Sequence, residues 1–267
     1  MNEPAIEIRG LKKKFWGFQL GPLDMTVPEG GIYALIGPNG AGKTTTFDLL
    51  MGMGKEDEGT IHVFGLDHHK QEAEMKARIG YVTPDLNYGA WKTPKRLVYF
   101  LRKFYPDWDD DYCARLLERF GIAWDEWIPK MSFGSKIKLA MAMALSHRPD
   151  LLLLDEPTLG VDAVSKKEIF SELLAAVQEE SHTVLISSHS LSDLERFADH
   201  IGIIHKGRMI LEGPTDTLLE RFRLAEFLPS NGLAAHRSEG FYPQPGKQDR
   251  FRAVLDIEQY SEERLEQ

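Results

Sequence analysis

Several things are scarce in this chain, and each shortage excludes a class of protein. Cysteine occurs once, at Cys113, so no internal disulfide can form, and a reducing compartment fits. Long apolar runs are missing: nothing approaches the roughly 18 consecutive apolar residues of a membrane-spanning helix. The opening MNEPAIEIRG also lacks a basic-then-apolar leader, so a soluble, intracellular chain is expected. Positive charge is short as well. Against 41 Asp and Glu stand 32 Lys and Arg, a formal net charge of −9, which leaves no broad basic surface to displace counterions from a phosphate backbone. Nucleic acid is not an expected partner. No internal repeat or extended low-complexity tract is present.

What is there suffices for one large α/β domain with a small appendage, since 267 residues with 42% apolar content can bury a sizeable core. Short strands broken by turns are expected in AIEIRGL, KFWGFQL and PLDMTV, followed by a buried strand at Ile32 to Ile36. A helix follows from Lys43 to Met51, and a strand returns at Ile61. From Thr93 to Gly121 the spacing turns helical, with Thr93 and Pro94 at the start and Gly121 as the stop. Further helices are expected over Gly134 to His147, Ser165 to Glu180 and from near Ser190. They alternate with apolar strands at LLLLD, Thr183 to Ser188 and His200 to His205, so a mostly parallel sheet with flanking helices results. Beyond Arg223 the residues read as a linker, then a strand at FRAVLDI and a solvated SEERLEQ tail. Cys113 reads as a helix-face residue, and His68 and His69 as residues of a wet turn.

The chemistry concentrates in three short segments. GPNGAGKT, Gly37 to Thr44, matches GxxxxGKT between a strand and a helix. Glycines at 37, 40 and 42 let backbone N–H groups curl around phosphate oxygens at a helix start, where the dipole favours anions. Lys43 reaches the β and γ phosphates, Thr44 offers Mg²⁺ a hydroxyl, and Thr45 adds a donor. With Asn39 and Ala41, these are the expected nucleotide contacts. A plain glycine-rich turn explains the glycines but not Lys43. LLLLDEP then places Asp155 and Glu156 at the carboxyl end of a buried strand, Asp155 for Mg²⁺ and Glu156 for the attacking water. His189, ending ISSH past another strand, is placed to donate to the γ-phosphate. The expected catalytic set is Lys43, Glu156 and His189.

MSFGSKIKLAMAMAL, one helix before the acid-ended strand, resembles the ABC signature, usually LSGGQ. Taken with the phosphate loop, LLLLDEP, TLGVD and ISSH, the order resembles the ATP-binding subunits of ABC transporters, most of all those of ABC-2 type exporters, over about residues 5 to 220. The resemblance implies a P-loop NTPase fold with a mostly parallel sheet, an antiparallel β subdomain at the N-terminus and an inserted helical subdomain, about 86–148, carrying the signature. It implies an ATPase domain over 1–222, with 223–267 an extension of unassigned role. ATP and Mg²⁺ are the implied ligands, and a membrane permease on a separate chain is the implied partner, holding the subunit at the inner face of the cell membrane. A second ATPase subunit, the same or different, would close the site. Ser132 and Gly134 would then meet γ-phosphate from the opposite subunit, and Asp162 would join the two sites.

Phe15 matches the adenine-stacking aromatic of relatives, with a packed strand aromatic as the other reading and Trp16 as a neighbour that could serve instead. Departures from the pattern fall at Phe133, in place of the first signature glycine, and at Ser135, in place of glutamine. The usual Mg²⁺-contacting glutamine after IGYV is replaced by Thr83, Pro84 and Asp85, of which Asp85 could serve the metal through water. Tyr88 and Trp91 either grip a permease helix or seal the helical insertion. A soluble ABC-type machine, or a nucleotide-gated module with little turnover, is the competing function.

Overall fold

The structure is a computed structural model describing residues 3–85, 88–180, 182–227, 241–244 and 251–256. The chain divides into two compact units, residues 1–212 and 213–267.

The first unit opens with a long hairpin, β1 (Ile6–Phe15) and β2 (Phe18–Val27), joined through Trp16 and Gly17. Three short strands were expected here. KFWGFQL is instead the hairpin turn, because Gly17 adopts φ +81, and the register of β1 shifts between Ile8 and Leu11 and again before Lys13. β3 (Gly31–Ile36) leads into α1 (Lys43–Leu50), and β4 (Glu58–Val63) and β5 (Leu66–Asp67) complete an antiparallel sheet ordered β2-β1-β4-β5. Next come α2 (Glu72–Ala77), β6 (Ile79–Val82) and the helical segment, with α3 (Pro94–Leu101), α4 (Asp110–Arg119) and α5 (Phe133–Leu145). Thr93 and Pro94 do open α3, and Gly121 ends the α4 segment at φ +66. Cys113 is buried on α4.

The second half supplies β7 (Leu151–Leu154), α6 (Ala163–Glu180), β8 (Thr183–Ser188), β9 (His200–His205) and β10 (Arg208–Pro214). The helix expected from Ser190 is only a 3₁₀ turn at Leu191–Asp193. Its serines bond locally, Ser190 N–H to Ser188 Oγ at 3.0 Å and Ser190 Oγ to Ser192 Oγ at 2.9 Å, and such bonds compete with helix nucleation. The six-stranded sheet is ordered β10-β9-β3-β8-β7-β6, with β9, β3, β8, β7 and β6 in parallel pairs. β7 and β8 are buried at every residue, as covered parallel strands must be. Ile6 and Leu20 of the antiparallel sheet share one core with Phe47 of α1 and Leu151, Leu153 and Leu185 of the parallel sheet.

In the second unit α7 (Thr215–Arg221) precedes a three-stranded antiparallel sheet of β11 (Phe222–Phe227), β12 (Phe241–Gln244) and β13 (Phe251–Asp256), ordered β11-β13-β12. The FRAVLDI strand is therefore present. FYPQ, expected within a linker, is a strand too; Pro243 is tolerated because β12 lies at the sheet edge, where a missing N–H breaks no second ladder. Arg221 closes on buried Asp256 at 2.9 and 2.7 Å. The expected SEERLEQ tail lies outside the described residues.

Candidate functional site

Three neighbouring parallel strands, β3, β8 and β7, end on one side of the sheet, where open α/β sheets place their ligand crevice. Each tip turns sharply. Gly37 follows β3 with its N–H on the Ser188 carbonyl at 3.1 Å, and a Cβ there would lie 2.3 Å from the Ile204 carbonyl oxygen, so only glycine fits. Gly42, at φ +112, opens α1, and the Gly207 N–H holds the Ala41 carbonyl at 2.9 Å. The loop is thus fixed on both sides before α1 presents its free N–H groups.

Lys43 is buried, 5% exposed, with its ammonium donating to the Gly37 and Pro38 carbonyls at 2.6 and 3.2 Å and lying 3.0 Å from Glu156 Oε1. The other Glu156 oxygen meets His189 Nδ1 at 2.9 Å. Glu156 holds φ +45, a left-handed backbone that costs a non-glycine residue and that clusters at functional sites. Beside it the Thr44 hydroxyl donates to Asp155 Oδ2 at 2.7 Å. Ser187 Oγ donates to Asp155 Oδ1 at 2.6 Å and accepts the Glu156 N–H at 2.9 Å. One hydroxyl on β8 therefore aligns both acids of β7. Ser187 was missed in the sequence; the signal was there, since two parallel strands in register put it beside Asp155.

Gly42, Lys43, Thr44, Asp155 and Glu156 line a cleft of about 710 Å³, together with Asn39, Gly40 and Thr45. Thr83, Pro84 and Asp85 line its far side, so the segment after β6 does reach the site. Asp48, one turn along α1 from Thr44, has its pKa raised by burial and by the charges of Asp155 and Asp85. Crowded carboxylates beside a hydroxyl suit a hard cation, and the 2.7 Å between Thr44 Oγ1 and Asp155 Oδ2 is close to the roughly 2.9 Å between adjacent oxygens around Mg²⁺. The residues fit that ion. Phe15 does not line the cleft: it is half exposed and stacks on Phe18 at 6.3 Å, and Phe18 with Gly17 forms the wall. Trp16 is fully exposed.

The signature residues stand apart from this cleft. Ser132 caps α5 by accepting the Ser135 N–H at 3.1 Å, with Phe133 exposed beside it and Gly134 buried against Ser165. Asp162 caps α6, accepting the Val164 and Ser165 N–H groups at 3.0 Å each, and these bonds lower its pKa.

A family model described as ABC transporter matches residues 20–159, just over half of the chain. This chain belongs to the ABC transporter family. A second model, described as an AAA domain, putative AbiEii toxin, Type IV TA system, matches residues 127–193. The bacitracin transport ATP-binding protein of Bacillus licheniformis is 36% identical over 214 residues, spanning 79% of this chain and 70% of its own. The daunorubicin/doxorubicin resistance ATP-binding protein of Streptomyces peucetius is 34% identical over 220 residues, spanning 80% and 66%. Among solved structures, cbiO1 of Clostridium perfringens, part of the ABC transporter complex cbiONQ, superposes with a TM-score of 0.68 at 24% identity over 82% of this chain and 92% of that one, a likeness of fold. A bacterial Atm1-family ABC exporter with ATP bound gives 0.70 at 25% identity over 83% of this chain and 40% of that one. The ABC chain is an ATP-binding transporter subunit and an ATPase, with a P-loop α/β fold. None of its helices, among the described residues, is long and apolar enough to cross a membrane.

Proposed function

We propose that the subunit grips the triphosphate of ATP with Lys43 and the amides from Gly37 to Thr45, and that Glu156 orients the water that attacks the γ-phosphate. The observation carrying this reading is the continuous polar chain from Lys43 through Glu156 to His189, beside Thr44, Asp155 and Ser187. Lys43 is held on two loop carbonyls and on Glu156, positions from which its ammonium can swing to phosphate oxygens while releasing the acid. Thr44 and Asp155 would hold Mg²⁺, which would neutralise charge on the β and γ phosphates, and Asp85 would contribute through water. His189 steadies Glu156 through its Nδ1 contact and would donate to the γ-phosphate. The adenine would lie against the Phe15–Phe18 edge.

Glu156→Gln tests the assignment. ATP binding should persist while hydrolysis falls at least about a hundredfold, the scale of losing one positioned charge-handling group. Ordinary turnover by that variant removes Glu156 from the chemistry.

The permease would seat in the helical segment, about residues 86–148. There Trp91, Tyr99 and Trp127 line a groove of about 860 Å³ whose rim carries Lys92, Lys95, Arg96 and Lys103 against Asp125 alone. Trp91 stacks on Phe100 at 4.0 Å and also lines that groove, whereas half-buried Tyr88 does not line it, so Trp91 is the residue that would contact the permease. Such docking would hold the subunit at the inner face of the membrane. The resistance role in the name of the Streptomyces peucetius relative favours outward transport. Exposed Ser132, Gly134 at the same helix start, and Asp162 would face the cleft of a second ATPase subunit, identical or not. Residues 223–267 would extend the ATPase domain proper.

A further inference from the structure

The turn after β5 carries two consecutive histidines for which ATP chemistry has no use. A wet turn was expected for both, and the structure corrects half of that: His68 is 2% exposed, while the His69 side chain is 41% exposed. A buried imidazole must account for both ring nitrogens. Nδ1 of His68 lies 3.2 Å from the Ile61 carbonyl, which can only accept, so Nδ1 carries the proton and Nε2 is left with its lone pair. That Nε2 makes no hydrogen bond, although Glu56 Oε2 lies 3.3 Å away. A carboxylate oxygen cannot donate to it, so with the proton on Nδ1 the buried lone pair faces the carboxylate unmet.

His69 completes the group from the other side, with Nε2 at 2.9 and 3.1 Å from the two Glu56 oxygens and its ring 3.8 Å from that of His68. Both supporting loops are anchored. Asp57, next to Glu56, donates its N–H to the Lys12 carbonyl at 2.8 Å and accepts the Lys14 N–H at 2.7 Å. Asp67 accepts the His69 and Lys70 N–H groups at 3.1 and 3.0 Å. Among the described residues this is the one cluster of three potential metal-ligating side chains, with all donor atoms within 4.8 Å of one another.

We propose that Glu56, His68 and His69 form a binding site for a divalent transition-metal ion of the zinc type, held by two imidazole Nε2 atoms and one carboxylate. Two imidazoles select such ions over Mg²⁺ or Ca²⁺, which take oxygen ligands. Donors about 2.0–2.1 Å from a tetrahedral zinc stand about 3.3 Å apart, against the 3.3 and 2.9 Å found between the nitrogens and Glu56 Oε2. The Nδ1–H bond from His68 to Ile61 is the outer support that fixes a ligating tautomer. An ordinary surface ion pair accounts for Glu56 and His69, but it leaves the buried His68 Nε2 without purpose. The ion would tie the loop before β4 to the turn after β5, and the exposed side of His69 leaves a fourth position to water.

Calorimetric titration of untagged, nucleotide-free full-length protein with Zn²⁺ tests this, comparing wild type with His69→Ala and Glu56→Gln. Zinc held at the ATP cleft is common to all three proteins and cancels. One equivalent should bind wild type at this site, with affinity reduced at least about tenfold in each variant. The zinc-induced rise in Tm should shrink in parallel. Equal zinc stoichiometry and affinity in all three proteins overturns the proposal, as does a wild type that binds no zinc.

Discussion

The ATP cleft and the starts of α5 and α6 satisfy their polar groups in opposite ways. In the cleft, bonds cross the chain: Thr44 to Asp155, Ser187 to Asp155 and His189 to Glu156. At the helix starts they reach no farther than one turn, from Ser132 to Ser135 and from Asp162 to Val164 and Ser165. At the centre of the cleft Lys43, Asp155, Glu156 and Ser187 are buried, with Thr44 and His189 exposed at its rim, whereas Ser132, Phe133 and Asp162 all face solvent. A centre preorganised by cross-chain bonds can do its part of the chemistry from its own fold. A capped helix start whose Ser132 and Phe133 face solvent is shaped for a ligand brought by another subunit.

The largest break in this comparison is Lys43→Ala. Each charge-assisted bond to phosphate contributes about 1.5–3 kcal/mol, so ATP affinity should fall by about 10- to 100-fold. Calorimetry reads this directly, and unchanged affinity would leave the phosphates without their assigned cation. Glu156 loses its buried counterion in the same variant, so a lower Tm should accompany the weaker binding.

Ser187→Ala is the sharper probe, because it touches no phosphate. It leaves the Glu156 N–H and one lone pair of Asp155 buried without a partner, which costs about 1–3 kcal/mol of stability. Urea unfolding should show that loss, and turnover should fall while ATP affinity changes less, since Lys43 and the loop amides remain. A variant as stable and as active as wild type would mean that β8 does not align the acids.

Most of the cleft was legible because its signals are local. GPNGAGKT lies between a strand and a helix, and LLLLDEP ends a strand that can only be buried, so Lys43, Thr44, Asp155 and Glu156 are placed by order along the chain alone. β8 and β9 occupy the ranges read from their apolar runs. What escaped depends on partners distant in sequence. His68 is buried by the carbonyl of Ile61 and the carboxylate of Glu56, neither of which the text HHK reveals. Phe15 and Phe18 are cross-strand partners whose rings stack on one face across the turn at Trp16 and Gly17, and which of the two then lines the cleft depends on how the hairpin sits beside the phosphate loop, which the residue order does not reveal. FYPQ pairs as a strand only because β13 offers it an edge.

The smallest expected effect separates the two regions most cleanly. Ser132→Ala removes the α5 cap and should cost about 1 kcal/mol, whereas Ser132→Gly should cost only a few tenths, because glycine is itself tolerated at that position. Both remove the hydroxyl. If Ser132 serves a second subunit, the two variants should be equally poor at ATP-driven dimerisation in the Glu156→Gln background, measured by light scattering, despite their different stabilities. If Ser132 only starts its own helix, dimerisation should follow stability, with the glycine variant close to wild type. Local capping and service in trans use the same oxygen, and the pair of substitutions divides them because the cap tolerates its loss in one backbone context and not in the other.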